Sequence, residues 1–141
     1  MATAFAGIVV DASLAVTWFV EEPGTPIADR LVRNAALEGG LWAPELLLLE
    51  VTAVLGKRAR QGKVASDYPG LSLRRLRRMP IRLIPDAELL DHAVLLSAAV
   101  RHPLYDCLYL ALAQRLDARL ATLDNGLAAL ARQEDRLWPK T

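Results

Sequence analysis

The sequence predicts an α/β fold in which helices cover the faces of a central, mainly parallel sheet. Short apolar runs rich in β-branched residues alternate with longer segments of helical periodicity, and this alternation is typical of parallel strands joined by crossover helices. Hydrophobic residues make up 53% of the chain, which is enough for a packed core. At 141 residues the chain has room for one domain, which we expect to span residues 1–141.

The strands are predicted from short apolar runs that lie next to glycine or proline. Ile8-Val9-Val10 follows Gly7 and is β-branched throughout, so it indicates a buried strand. Three further strands and a frayed fifth are expected at 41–43, 81–84, 119–122 and 137–138.

The helices are predicted from apolar residues three or four positions apart. We expect Ile27, Leu31 and Ala35 on the buried face of the first long helix, and Asp86 as the N-cap of a later one. The long helices are predicted at 25–37, 45–60, 86–100 and 104–116, and two more begin near residues 13 and 125.

Composition argues against several classes of protein. The single cysteine, Cys107, excludes a disulfide framework and a cysteine-based zinc site, and its apolar neighbours indicate a buried thiol. The first basic residue is Arg30 and Asp11 interrupts the apolar N-terminus, which argues against a secretory signal. No window of about 18 residues is apolar throughout, so we expect a cytoplasmic protein without a membrane span.

Four acids stand in apolar surroundings: Asp11, Glu50, Asp106 and Asp124. Asp11 and Asp124 come at the carboxyl ends of predicted strands, whereas Glu50 and Asp106 lie near the start of helices that begin at the same edge of the sheet. We therefore expect all four at one edge. The alternatives are that Asp11 and Asp124 only cap helices, that Glu50 faces solvent, and that Asp106 only favours a helix dipole.

Four carboxylates in one pocket must bind protons or share a cation. Two carboxylates about 4 Å apart repel by about 4 kcal/mol at an effective dielectric constant of about 20. An all-oxygen donor set suits Mg²⁺ or Mn²⁺, and such an ion can activate water toward a phosphodiester. Ser13 and Thr122, each two residues from one of these acids, are expected to hydrogen-bond the ligating carboxylates.

The sequence resembles the PIN-domain family, and more narrowly its VapC-type toxin branch. All four acids occur in the family's order between about residues 8 and 127. The motifs that carry the resemblance are Val10-Asp11-Ala12-Ser13 with Trp18-Phe19, Pro44 followed by Glu50, Tyr105-Asp106-Cys107-Leu108-Tyr109-Leu110-Ala111, and Thr122-Leu123-Asp124.

The resemblance implies a three-layer α/β/α sandwich with a central, mainly parallel sheet of four to five strands. It implies a Mg²⁺-dependent endoribonuclease, a homodimer, and neutralisation by a VapB-type antitoxin. By position, Asp11, Glu50, Asp106 and Asp124 match the family's catalytic and metal-binding acids. Asp11 and Asp106 would be the most direct ligands, and Glu50 and Asp124 would complete the ligand shell or orient the water.

Basic residues are concentrated in the middle of a chain whose net charge is only +1. Residues 57–82 hold nine Lys or Arg and one acid. One interpretation is contact with an RNA backbone, for which the sequence suggests Arg74, Arg75, Arg77 and Arg78. The alternative is a solvated helix face balanced by the acidic flanks, or a contact with the antitoxin.

The histidines are not predicted to take part in catalysis: His92 is expected on a helix surface and His102 in a loop before a proline. A function from another class remains open, namely a non-catalytic RNA- or partner-binding module on the same fold.

Overall fold

The structure, a computed structural model, describes residues 6–139 and contains a five-stranded sheet in which every neighbouring pair is parallel. The strand order β3-β2-β1-β4-β5 places β1 at the centre, and the predicted parallel sheet is confirmed, including its short fifth strand. The strands are β1 (Ile8–Val10), β2 (Leu41–Pro44), β3 (Ile81–Ile84), β4 (Arg119–Ala121) and β5 (Leu137–Trp138).

Seven helices connect the strands in the part of the chain that the structure describes. They are α1 (Ala12–Ala15, continued by a 3₁₀ turn, Val16–Trp18), α2 (Thr25–Ala35), α3 (Leu46–Arg60), α4 (Tyr68–Arg78), α5 (Asp86–Val100), α6 (Leu104–Leu116) and α7 (Asn125–Gln133). The periodicity of the sequence does not reveal α4, because this helix buries only Ser72 and Leu76 and carries four arginines.

Two details of the predicted helices are wrong. In α2 the buried residues are Ala28, Leu31 and Ala35, whereas Ile27 is 40% exposed. In α5 the carboxylate of Asp86 makes no capping bond and instead accepts a hydrogen bond from the backbone N–H of Leu46 at 3.0 Å. That donor is 40 positions away in the sequence, and the helix periodicity carries no information about it.

The order of the strands creates a switch point between β1 and β4. The chain moves outward on one side from β1 to β3, then returns across the sheet and continues on the other side from β4 to β5. Because parallel crossovers are right-handed, the helices before β3 cover one face and those after it cover the other. Ligands of such sheets bind at the carboxyl edge, where the winding reverses. Here that position is the end of β1 and β4.

Helix α6 is the centre of one layer. Its residues 107–113 are all buried, and it contacts β1, β2 and β4. Cys107 is fully buried, as predicted. A helix that is apolar on all sides belongs in a core, so the polar groups at its start are held in a rigid environment. Among residues 6–139 no helix is long and apolar enough to cross a membrane.

Candidate active site

Asp11 lies at the carboxyl end of β1 and is only 4% exposed. Its backbone N–H donates to the carbonyl of Ala121, which continues the pairing of β1 with β4. Its Oδ1 accepts from Ser13 Oγ at 2.7 Å and from the N–H of Leu14 at 3.2 Å, and its Oδ2 accepts from Thr122 Oγ1 at 2.6 Å. Three donors from two elements therefore fix the direction of this carboxylate.

Burial raises the pKa of Asp11 from 3.8 to about 6. The hydrogen bonds from Thr122, Ser13 and Leu14 oppose this shift because they stabilise the carboxylate, and the negative charge of Asp106 adds to it. At neutral pH Asp11 is thus a charged group in an environment that disfavours charge. A cation beside it would relieve that cost.

Glu50 lies in the second turn of α3 and is half-buried. The hydroxyl of Tyr109, on α6, donates to its Oε1 at 2.6 Å. Burial raises the pKa of Glu50, the bond from Tyr109 lowers it, and the charges of Asp106 and Asp86 raise it further. The carboxylate therefore faces the other acids rather than lying free in solvent.

Asp106 lies in the first turn of α6 and is also half-buried. Its Oδ2 is 2.9 Å from Nε2 of His102 in the loop before α6. Burial raises the pKa of Asp106, the bond to His102 lowers it, and the charge of Asp124 raises it. Asp106 also acts on the pKa of both Asp11 and Glu50, which places it within the electrostatic reach of all three other acids.

Asp124 is exposed and caps α7, where its Oδ2 accepts from the N–H of Leu127 at 2.7 Å. Its own N–H donates to Thr122 Oγ1 at 3.0 Å, and the same hydroxyl donates to Asp11. Thr122 thus connects the two acids that follow β1 and β4. Asp11 and Asp124 both cap helices, and both also lie at the carboxyl edge of the sheet.

The chemistry of this donor set fits a hard divalent cation. The charge of Asp106 raises the pKa of Asp11 and of Glu50, and the charge of Asp124 raises that of Asp106. Carboxylates that oppose each other's ionisation are stabilised when they share a positive ion. Oxygen ligands of this kind suit Mg²⁺ or Mn²⁺.

Sequence reasoning missed three residues next to these acids: Tyr109, His102 and Asp86. Tyr109 lies three positions after Asp106 on the same helix, and helical spacing could have placed it near the site. His102 precedes α6, so helical spacing could not have found it. Asp86 acts on the pKa of Glu50 from another helix. It could not have been found from spacing, because it comes from a distant part of the chain.

The four arginines suggested for RNA contact lie on α4 and are all exposed: Arg74, Arg75, Arg77 and Arg78. Arg77 lines a groove between α3 and α4 together with Leu49 and Thr52, which flank Glu50 in the sequence. One end of the basic helix thus reaches the part of α3 that carries an acid of the site.

Comparison with known proteins gives a family match and similar relatives. The family model described as PIN domain matches residues 8–133. Ribonuclease VapC3 of Pyrobaculum aerophilum is 32% identical over 123 residues, which cover 86% of this chain and 92% of that protein.

Solved structures share the fold at lower identity. The crystal structure of PAE2754 from Pyrobaculum aerophilum aligns with a TM-score of 0.69 at 22% identity and covers 88% of this chain and 84% of that one. VapC20 of Mycobacterium tuberculosis is described as a toxin that cleaves the sarcin-ricin loop. It aligns with a TM-score of 0.65 at 18% identity, and the alignment covers 87% of this chain and 94% of that one.

The burial of Asp11 predicts a pH dependence of stability in the metal-free protein. Because folding raises its pKa from 3.8 to about 6, the folded protein binds more protons than the unfolded chain between these values. The contribution to the free energy of unfolding is therefore full below pH 3.8 and is lost as the pH rises through about 6. The shift corresponds to about 3 kcal/mol.

Urea unfolding in EDTA at pH 4 to 8 measures this effect, with Asp11→Asn as the control that removes the titrating group. Relative to Asp11→Asn, the free energy of unfolding of the wild type should fall by about 2.4 kcal/mol from pH 4 to pH 8, because Asp11 of the unfolded chain is already partly ionised at pH 4. A difference between the two proteins that does not change with pH would show that Asp11 is not destabilised by burial.

The bond from Tyr109 to Glu50 predicts that Tyr109→Phe lowers the free energy of unfolding by about 1–2 kcal/mol at pH 8, because Glu50 loses a donor while it stays half-buried. Urea unfolding measures the change. Tyr105→Phe is the matched control, since Tyr105 is on the same helix and 62% exposed, and its effect should stay within about 0.5 kcal/mol. Equal effects of the two substitutions would contradict a role of the hydroxyl of Tyr109.

Proposed function

The chain belongs to the PIN domain family, and on this premise we propose that it is a metal-dependent endoribonuclease, the toxin of a VapC-type toxin–antitoxin pair. Residues 1–141 form a single PIN-like domain in this proposal. It hydrolyses phosphodiester bonds in RNA, which implies the cytoplasm as its place of action. The observation that carries the proposal is the position of Asp106, whose charge acts on both Asp11 and Glu50.

Asp11, Glu50, Asp106 and Asp124 are the catalytic acids and would hold Mg²⁺ or Mn²⁺. When bound, the divalent ion supplies a Lewis acid that activates water and offsets the negative charge growing on the phosphate. Water attacks the scissile phosphorus and the bond to the 3′ oxygen breaks, which leaves a 3′-hydroxyl and a 5′-phosphate.

The surrounding residues keep these acids in place. Ser13 and Thr122 donate to opposite oxygens of Asp11, so the carboxylate cannot rotate without losing a bond. The hydroxyl of Tyr109 donates to one oxygen of Glu50 and restricts that carboxylate. Hydrogen bonds of this kind hold the ligands of a metal ion in a fixed orientation and strengthen its binding.

The exposed arginines of α4 bind the RNA backbone in this proposal. Guanidinium groups pair with phosphate oxygens, and a basic surface raises the local concentration of a polyanion. Arg77 supports the assignment most directly, because it lines the groove that reaches the segment of α3 around Glu50. A second groove near the end of α3 is lined by Lys57, Arg58 and Lys63 and extends the basic surface.

We also propose two protein partners. A VapB-type antitoxin neutralises the enzyme, as the VapC-type resemblance implies. The chain forms a homodimer, and the apolar side of α5 supports this part of the proposal because residues 6–139 cover its large side chains only in part. Leu90, Val94 and Leu95 are 43%, 49% and 72% exposed.

The proposal predicts that Asp106→Asn and Asp11→Asn each lower the rate of RNA cleavage by at least about a hundredfold, because a neutral amide is a poor cation ligand. The measurement is cleavage of total RNA by the purified chain with Mg²⁺, and a second reaction with EDTA should give no products. Circular dichroism checks that the fold is retained.

Asp91→Asn is the matched control, since Asp91 is an exposed acid on α5, and it should cut at the wild-type rate. RNA binding without cleavage by the wild type, equal with Mg²⁺ and with EDTA, would instead support the non-catalytic binding module. Full activity of Asp106→Asn would contradict the assignment of the acids.

The basic surface predicts that Arg74→Gln combined with Arg78→Gln weakens RNA binding. The logarithm of the RNA association constant decreases linearly with the logarithm of the salt concentration. If each arginine contacts one phosphate of single-stranded RNA, this slope should become less steep by about 1.4 in the double variant. Binding is measured at several salt concentrations in the Asp106→Asn background, so that the RNA stays intact.

Arg33→Gln combined with Arg132→Gln is the matched control, because both of these arginines are exposed and lie outside the basic segment. The same loss of slope in both double variants would show that binding depends on net charge alone and not on α4.

A further inference from the structure

His102 lies beside the acids of the site although the sequence suggests only a loop residue. It precedes Pro103 between α5 and α6, and its side chain is 19% exposed. Its carbonyl accepts from Ser97 Oγ at 2.6 Å, which fixes the backbone of the loop. Its Nε2 is 2.9 Å from Oδ2 of Asp106. Ser97 thus holds the backbone of His102, and Asp106 holds its ring.

A third residue, Asp124, completes a compact group. One nitrogen of His102 and one carboxylate oxygen each of Asp106 and Asp124 all lie within 4.8 Å of one another. Two ligands at right angles around one cation, with bonds of about 2.1 Å, are about 3 Å apart. The 2.9 Å between Nε2 of His102 and Oδ2 of Asp106 is a hydrogen bond in the structure, and a cation that replaced the shared proton would require only a small movement of these two atoms.

Gly126 makes room for the ring of His102. A Cβ at this position would lie 2.8 Å from Cε1 of His102 and 3.4 Å from Oδ2 of Asp124. The φ angle of Gly126 is not among the positive ones, so its backbone does not require glycine. Glycine in a helix costs about 1 kcal/mol relative to alanine. The lack of a side chain here instead allows the imidazole to approach Asp124.

We propose that His102 supplies a nitrogen ligand to the cation held by Asp106 and Asp124, so that the protein binds Mn²⁺ in preference to Mg²⁺. Both ions bind carboxylate oxygens, but Mn²⁺ is a transition-metal ion and accepts an imidazole nitrogen among them more readily than Mg²⁺, which is bound almost entirely by oxygen. The inference rests on the proposed function, in which Asp106 and Asp124 are metal ligands. It adds to that function a residue that selects the ion.

The test is titration calorimetry of the full chain with Mn²⁺ and with Mg²⁺, without RNA. His102→Gln is the main variant, because the amide can still donate a hydrogen bond to Asp106 but is a poor ligand for Mn²⁺. We expect its Mn²⁺ affinity to fall by at least about tenfold and its Mg²⁺ affinity to change by less than about threefold. His92→Gln is the matched control on exposed α5 surface and should change neither affinity.

Gly126→Ala tests the geometry without removing a donor, since the added methyl group must displace the ring of His102. Like His102→Gln, it should lower the ratio of Mn²⁺ affinity to Mg²⁺ affinity relative to the wild type. An equal loss of both affinities in His102→Gln would show that His102 only positions Asp106, and unchanged affinities would show that it is no ligand; either result overturns the inference.

A cleavage assay on the same preparations separates the two proposals. If the wild type cuts RNA with Mg²⁺ and His102→Gln keeps the wild-type ratio of Mn²⁺ to Mg²⁺ affinity, only the role of His102 is overturned. If the wild type binds neither ion and cuts no RNA, the proposed function fails with it.

Discussion

The arrangement of the site depends on one constraint, a carboxylate kept almost fully out of water at the end of the central strand. Asp11 is 4% exposed, and burial raises its pKa to about 6. The cost is limited by donors that converge from α1 and from the residue after β4. Because these donors belong to two neighbouring elements at the switch point, the pairing of β1 with β4 and the position of the acid depend on each other.

A carboxylate that caps a helix could still hold a cation in the proposed site, because it has two oxygens with two lone pairs each. Asp11 accepts the capping bond from Leu14 with Oδ1 and the bond from Thr122 with Oδ2. Asp124 caps α7 and is linked to the same threonine through its backbone N–H. A helix N-terminus also carries partial positive charge. The helix N-termini therefore stabilise acids that repel one another. That Asp11 and Asp124 cap helices is thus compatible with a metal site at the same residues.

Helix α3 joins the two regions of opposite charge. Glu50 lies in its second turn, whereas Lys57, Arg58 and Arg60 lie in its last turn. Basic groups near a helix C-terminus interact favourably with the helix dipole, and Arg58 pairs with Glu22. These cations thus stabilise the helix while they extend the basic surface. An approaching polyanion is attracted by this surface and repelled by the acids, unless a cation offsets their charge.

The sequence by itself determined the strands, the helices other than α4 and the four isolated acids, because alternation, periodicity and apolar context are local properties of the chain. It also indicated that these acids meet, since the carboxyl ends of parallel strands share one edge. Only the tertiary structure decided which side chains hold them. The bond from Tyr109 to Glu50 spans 59 positions and that from Thr122 to Asp11 spans 111, and no local pattern encodes them. Helix α4 and the place of His102 were decided in the same way, by packing and by contacts that exist only once the chain has folded.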